Sequence, residues 1–147
     1  MTDRIERQVE LKASPERVWE ALTEHREFGE WFKVALDQPF AVGTRSTGRM
    51  TYPGYEHVPW KAEIVAIEAQ RRFAYRWPHM DEAQKVREEW AWTLVEFTLE
   101  PHGTGTRLTV VESGFDALPD GARESALRSN EGGWTEQMGN VRAHVGG

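Results

Sequence analysis

Cysteine is absent from the 147 residues. That excludes a disulfide framework, a thiolate nucleophile and any metal site built on cysteine. Long apolar runs are missing too: no stretch approaches the ~18 residues that a membrane span needs. The opening Met1–Leu11 is charged and alternating, unlike a signal peptide. Basic runs are equally scarce. Lys and Arg number 18 against 24 Asp and Glu, a net charge of −6, and Arg71-Arg72 is the one adjacent basic pair. Nucleic-acid binding, which needs a face that neutralises phosphates, is therefore not expected. The five histidines (His25, His57, His79, His102 and His144) are dispersed, with no i,i+4 pair and no H-E-x-x-H, and no G-x-S-x-G occurs. Neither a metal nor a cofactor is expected, nor a membrane partner, and the expected location is cytoplasmic.

What the chain does have is tryptophan, seven in all. Apolar area concentrated in a few large flat side chains suits a small core or an aromatic-lined pocket. The length fits one domain, residues 1–147, with one core. Residues 4–12 alternate Ile5, Val9 and Leu11 with charged neighbours and read as a half-buried strand. Ser14-Pro15 is a helix start, with Ser14 as cap and Pro15 at the first helical position, and Val18, Trp19, Ala21 and Leu22 give the apolar face. Phe28, Trp31 and Phe32 predict a second short helix over His25–Phe32. Strands are expected over Thr44–Tyr52, Trp60–Glu68 and Arg72–Trp77, then a charged loop over Pro78–Glu89, the segment expected to be mobile. Trp90–Leu99 and Thr106–Ser113 predict a final hairpin, in which Trp90 and Trp92 point away from Val95, Phe97 and Leu99.

From about Asp116 to Val145 the period changes from two to 3.6. Leu127, Trp134, Met138, Val141 and Val145 lie along one face, predicting a long amphipathic helix capped by Asp116 or Asp120, with Pro119 in its first turn. Asn130 interrupts that stripe, and Gly132-Gly133 costs roughly 1 kcal/mol per residue against Ala. A strand, two short helices, about six antiparallel strands and a long helix define an α+β class. Its curved antiparallel sheet wraps around the C-terminal helix.

This order resembles the START-like (SRPBCC, birch-pollen-allergen-like) superfamily with its helix-grip fold, and within it the branch named after the activator of the heat-shock-protein-90 ATPase. The resemblance runs over essentially the whole chain. It rests on Ala13-Ser14-Pro15-Glu16-Arg17-Val18-Trp19-Glu20-Ala21-Leu22-Thr23, Glu30-Trp31-Phe32, the strands at 62–68 and 72–77, the hairpin from Gly105 to Phe115, and Gly133-Trp134. It implies small-molecule binding, cyclase-like chemistry or a co-chaperone-like partner surface, and fold alone does not choose among them.

Glu112 is the most informative candidate. It continues the apolar parity of Leu108 and Val110, where a carboxylate must be solvated or paired. An arginine partner, backbone amides at the sheet end, or a place at the polar end of a cavity would each account for it. Arg45, Arg49 and Arg76 are the candidate cations. Glu112 and Asn130 are expected to meet across a cavity between sheet and helix. Trp134, Met138, Tyr75, Trp77, Trp60 and Phe32 are the expected ligand-binding residues of its apolar part. The expected function is binding of an apolar or aromatic small molecule, as a carrier, sensor or stress-related binder. The rivals are a cyclase-like or hydrolytic enzyme using Glu112 with Asn130 or Tyr75, and a chaperone-binding module. Catalytic residues are not assigned.

Overall fold

The computed structural model describes residues 4–147, so the first three residues of the expected domain lie outside the described residues. Strand β1 (Arg4–Leu11) leads into α1 (Pro15–Thr23) and α2 (His25–Phe32). Ser14 caps α1 by accepting a hydrogen bond from the Arg17 N–H at 3.2 Å, with Pro15 at the first helical position as expected. Lys33, in the left-handed region, ends α2 and turns the chain into β2 (Val34–Leu36). Gly29 permits that reversal: a Cβ there would lie 2.3 Å from the Val34 carbonyl oxygen.

Strands β3 (Arg45–Met50), β4 (Pro59–Glu68) and β5 (Arg72–Trp77) follow, then a small hairpin β6 (His79–Met80) and β7 (Val86–Arg87), and the long strands β8 (Thr93–His102) and β9 (Gly105–Ser113). The main sheet is antiparallel throughout, in the order β1-β9-β8-β5-β4-β3-β2. A 3-10 turn at Phe115–Ala117 precedes α3 (Ala122–His144).

One face of the sheet is buried under all three helices. Trp60, Ala62 and Ile64, then Phe73 and Tyr75, Val95 and Phe97, and Leu108 and Val110 point into it. Phe28 of α2 packs edge-on against Trp60, Phe73 and Tyr75, and α3 contributes Trp134, Met138 and Val141. These side chains form one continuous apolar cluster. Among the described residues no helix is long and apolar enough to cross a membrane.

Three local expectations are corrected. The last helix begins at Ala122, not near Asp116, and neither Asp116 nor Asp120 caps it; Gly121 stands at the cap. The cause is Pro119, which disfavours helical backbone at the preceding residue, and Leu118 is extended at φ −75°, ψ 153° with its side chain buried. The charged stretch 78–89 contains the β6–β7 hairpin rather than a plain loop. Asp81 organises it by accepting from the Ala83 and Lys85 N–H groups at 2.9 and 3.0 Å and from Arg87 at 3.1 Å. Trp90 and Trp92 precede β8 instead of starting it. Each is half-buried under a guanidinium 5.1 Å from its ring, Arg87 over Trp90 and Arg45 over Trp92.

Candidate functional site

The strand register assembles the site. Tyr75 pairs with Val95, Val95 with Glu112 and Glu112 with Ile5, so one row of the buried face reads Tyr, Val, Glu, Ile. The next inward position on β8 is Thr93, opposite Trp77 of β5. Two residues beyond Trp77 the same parity, carried past Pro78, delivers His79 of β6. From the helix side, Asn130 and Trp134 are one turn apart on α3 and face the same end of the sheet.

Glu112 is fully buried, and four side-chain donors from Trp77, Thr93, Asn130 and Trp134 converge on it. Its Oε1 accepts from Asn130 Nδ2 at 2.9 Å and Trp134 Nε1 at 2.8 Å. Its Oε2 accepts from Trp77 Nε1 at 2.8 Å and Thr93 Oγ1 at 2.5 Å, with His79 Nε2 at 3.4 Å. His79 Nε2 lies 2.7 Å from Thr93 Oγ1. Since the threonine proton goes to Glu112, the hydroxyl oxygen accepts from His79, which fixes the proton on Nε2. Neither an arginine nor a row of backbone amides fills the partner role. Arg45 is held by Glu63 and Glu88 instead, at 3.5 and 3.2 Å.

Burial alone pushes the Glu112 carboxyl up; the His79, Thr93 and Trp77 contacts outweigh it and hold the group below its ordinary value. The carboxylate is therefore ionised in a dry setting, a state stable only because its lone pairs are engaged. Tyr75 is the counterexample beside it. Burial, then the charge of Glu112, pushes its phenol well above the ordinary value, and the hydroxyl oxygen is buried with no partner. An orphaned buried hydroxyl costs roughly 1–3 kcal/mol. Tyr75→Phe should accordingly raise stability by about 1 kcal/mol in a urea titration; an unchanged or lowered midpoint would show that the hydroxyl is satisfied in solution.

Above this buried network lies a cleft of about 510 Å³, open between α2, α3, the β3–β4 connection and the β6–β7 hairpin. Its walls include Phe32, Trp60, Trp77, Asn130 and Trp134 of the expected ligand-binding set. Trp77 and Trp134 stack with ring centroids 5.7 Å apart and planes 27° apart. Tyr75, Met138 and Glu112 do not reach the wall and stand behind it. Met50, Tyr52, Tyr55 and His79 line the cleft outside that set, as do Lys61, Asp81 and Glu136. Among the described residues no three His, Asp or Glu side chains converge as a metal site. His79 and Thr93 are the residues that sequence reasoning passed over. The signal was the unbroken alternation Phe73, Tyr75, Trp77, His79, hidden by the proline that ends the strand.

An antiparallel sheet gripping a long C-terminal helix, with an aromatic cleft between the two, defines a START-like domain of the helix-grip fold. The family model described as "Activator of Hsp90 ATPase homolog 1-like protein" matches residues 12–146, and the chain belongs to that family. It is similar to protein MLL2253 from Mesorhizobium loti, with 27% identity over 97% of this chain and 96% of that one and a TM-score of 0.77. A protein from Arthrobacter aurescens shares the fold at 21% identity, covering 97% of this chain and 86% of that one, with a TM-score of 0.80. The Aha1 dimer from Colwellia psychrerythraea does so at 19% identity, covering 99% and 96%, with a TM-score of 0.72. A comparison with curated proteins finds no match.

Proposed function

We propose that this domain binds an apolar or aromatic small molecule in the cleft between the sheet and α3, as a carrier or sensor. The observation that carries the reading is the cleft itself. Its volume of about 510 Å³ is within the range of small-molecule sites, and it combines aromatic walls with a few fixed polar groups. Trp77, Trp134, Trp60 and Phe32 offer ring faces, and Asn130 offers a polar contact. Glu112 acts from behind: it aims Asn130 and both indoles, while Tyr75 and Met138 back the wall. A hydrolytic role for Glu112 itself is less well supported, because the carboxylate is fully buried and four donors occupy it. Of the exposed large apolar residues Val42, Tyr55 and Met80, the last two line the cleft and favour a ligand entrance over a separate protein-docking patch.

Titration with N-phenyl-1-naphthylamine, an uncharged aromatic probe, followed by probe emission and tryptophan quenching, tests the reading. Saturable binding is expected, and its absence would defeat the proposal. Gly133 supplies the control. It lies on the cleft wall in mid-helix, and a Cβ there meets nothing within 4 Å. Gly133→Ala should stabilise the protein by about 1 kcal/mol through helix propensity. Gly133→Leu should keep the melt at or above wild type yet weaken probe binding about tenfold, or ~1.4 kcal/mol. Undiminished binding by Gly133→Leu would place the probe elsewhere.

A further inference from the structure

His79 has a partner on one side only. Its Nε2–H is committed to Thr93 Oγ1 at 2.7 Å, and through that hydroxyl to Glu112. Its Nδ1 has no hydrogen-bond partner among the described residues, yet it is not sealed off as the Tyr75 hydroxyl is. The ring is 7% exposed, packs edge-on against Phe115 at 5.6 Å and lines the cleft. An imidazole held by one nitrogen on the wall of a cleft, with the other unpartnered, is arranged as a proton acceptor.

We infer that His79 is the proton acceptor of the cleft, and that the ligand is a weakly acidic aromatic hydroxyl compound, a phenol or an aryl-conjugated enol, held as its oxyanion. The inference rests on the proposed binding function and names its ligand class. The step is a single proton transfer. The ligand O–H bond breaks, an N–H bond forms at Nδ1, the electron pair stays on the ligand oxygen, and release reverses the exchange. The charge that His79 gains lies 3.4 Å from the Glu112 carboxylate, with Thr93 between them.

The other charges around the cleft favour an acid that arrives neutral over one already ionised. Glu112 lies beneath the wall, and Asp81 and Glu136 are on it. Lys61, the wall's ammonium, is already paired with Glu88, and Arg87, opposite His79 across the β6–β7 ladder, is held by Asp81 and Glu89. A carboxylic acid would reach this ring as an anion, while Lys61 and Arg87 are already held by carboxylates. A phenol brings its own proton, and the pair of charges forms only inside the cleft. The stacked faces of Trp77 and Trp134 supply the aromatic part of the recognition.

The test pairs para-nitrophenol with para-nitroanisole, which lacks the proton, at a pH where free nitrophenol is mostly neutral. Wild-type protein should bind nitrophenol about tenfold more tightly than nitroanisole, and the bound nitrophenol should show the phenolate absorption band. His79→Gln, which keeps a donor for Thr93, should bind both probes alike with nitrophenol in its neutral form. If that variant does not fold, nitrogen-15 spectra of wild-type protein labelled at histidine decide. Nitrophenol should convert the His79 ring from the Nε2–H tautomer to imidazolium, and nitroanisole should not. Binding of both probes without the phenolate band, or an undiminished band in His79→Gln, overturns the inference and leaves the binding function standing. So does binding of N-phenyl-1-naphthylamine without nitrophenol. Failure of all three probes overturns both.

Discussion

Glu112→Gln should lower the stability of this domain by about 3 kcal/mol, or roughly 6–12 °C in melting temperature for a chain of this size. Glutamine matches glutamate in shape but offers one acceptor oxygen and one amide nitrogen. An indole N–H meets each carboxylate oxygen here, Trp134 on Oε1 and Trp77 on Oε2. Thr93 can reverse its hydroxyl to accept from the amide, but an indole cannot accept. In either orientation of the amide, one buried indole N–H faces another donor. A melt within about 1 °C of wild type would refute this account, since losses of that size are the level of neutral surface changes. The pH dependence follows from the same group. Its folded-state value lies below the ordinary 4.5, so its contribution is present above that ordinary value and is lost as pH falls through the folded one. Wild type should lose stability more steeply in acid than Glu112→Gln does.

Trp134→Phe should be comparably costly, about 2–4 kcal/mol, and should also loosen the cleft. The substitution removes a hydrogen bond to a buried charge and part of a ring packed against Phe32, Trp77 and Phe97. Because Trp134 is on the cleft wall and Glu112 is not, the two variants separate by readout. Glu112→Gln should act chiefly on the melt, Trp134→Phe on the melt and on probe affinity together. Combining them should cost less than the sum of the two, by about 1.5–3 kcal/mol, since both break one shared bond. Strict additivity would mean that the Glu112–Trp134 contact carries no energy.

Much of this is readable in the sequence. The second helix occupies the expected His25–Phe32, and β4 fills the expected Trp60–Glu68, with Trp60, Ala62 and Ile64 buried against the more exposed Lys61 and Glu63, because period and caps are local signals. The Glu112–Asn130 pair was legible as two polar interruptions of two apolar patterns joined by a short connection. Less visible were features that local pattern does not encode. Pro119 moved the start of α3 through its effect on Leu118. The hairpin at 79–87 depends on Asp81 reaching back to its own backbone, which composition alone reads as a charged loop. The tryptophans were expected as apolar lining, yet Trp77 and Trp134 also serve as donors to a carboxylate. An indole carries both properties, and only the three-dimensional register selects between them.

The buried carboxylate also decides where the last helix sits. Of the 23 residues of α3, only Trp134, Met138 and Val141 are buried, a narrow apolar seam that would tolerate sliding along the sheet. A slip of one turn moves a helix about 5.4 Å, far more than a hydrogen bond can stretch. It would carry Asn130 and Trp134 off Oε1 together and strand an ionised group in a dry interior. Glu112 thus works as an index pin, admitting one axial setting of α3 and one rotation about its axis. That setting places Gly133 beside Asn130 and Trp134 on the wall, and so the width of the cleft above the tryptophans is set by a charge that does not itself line it.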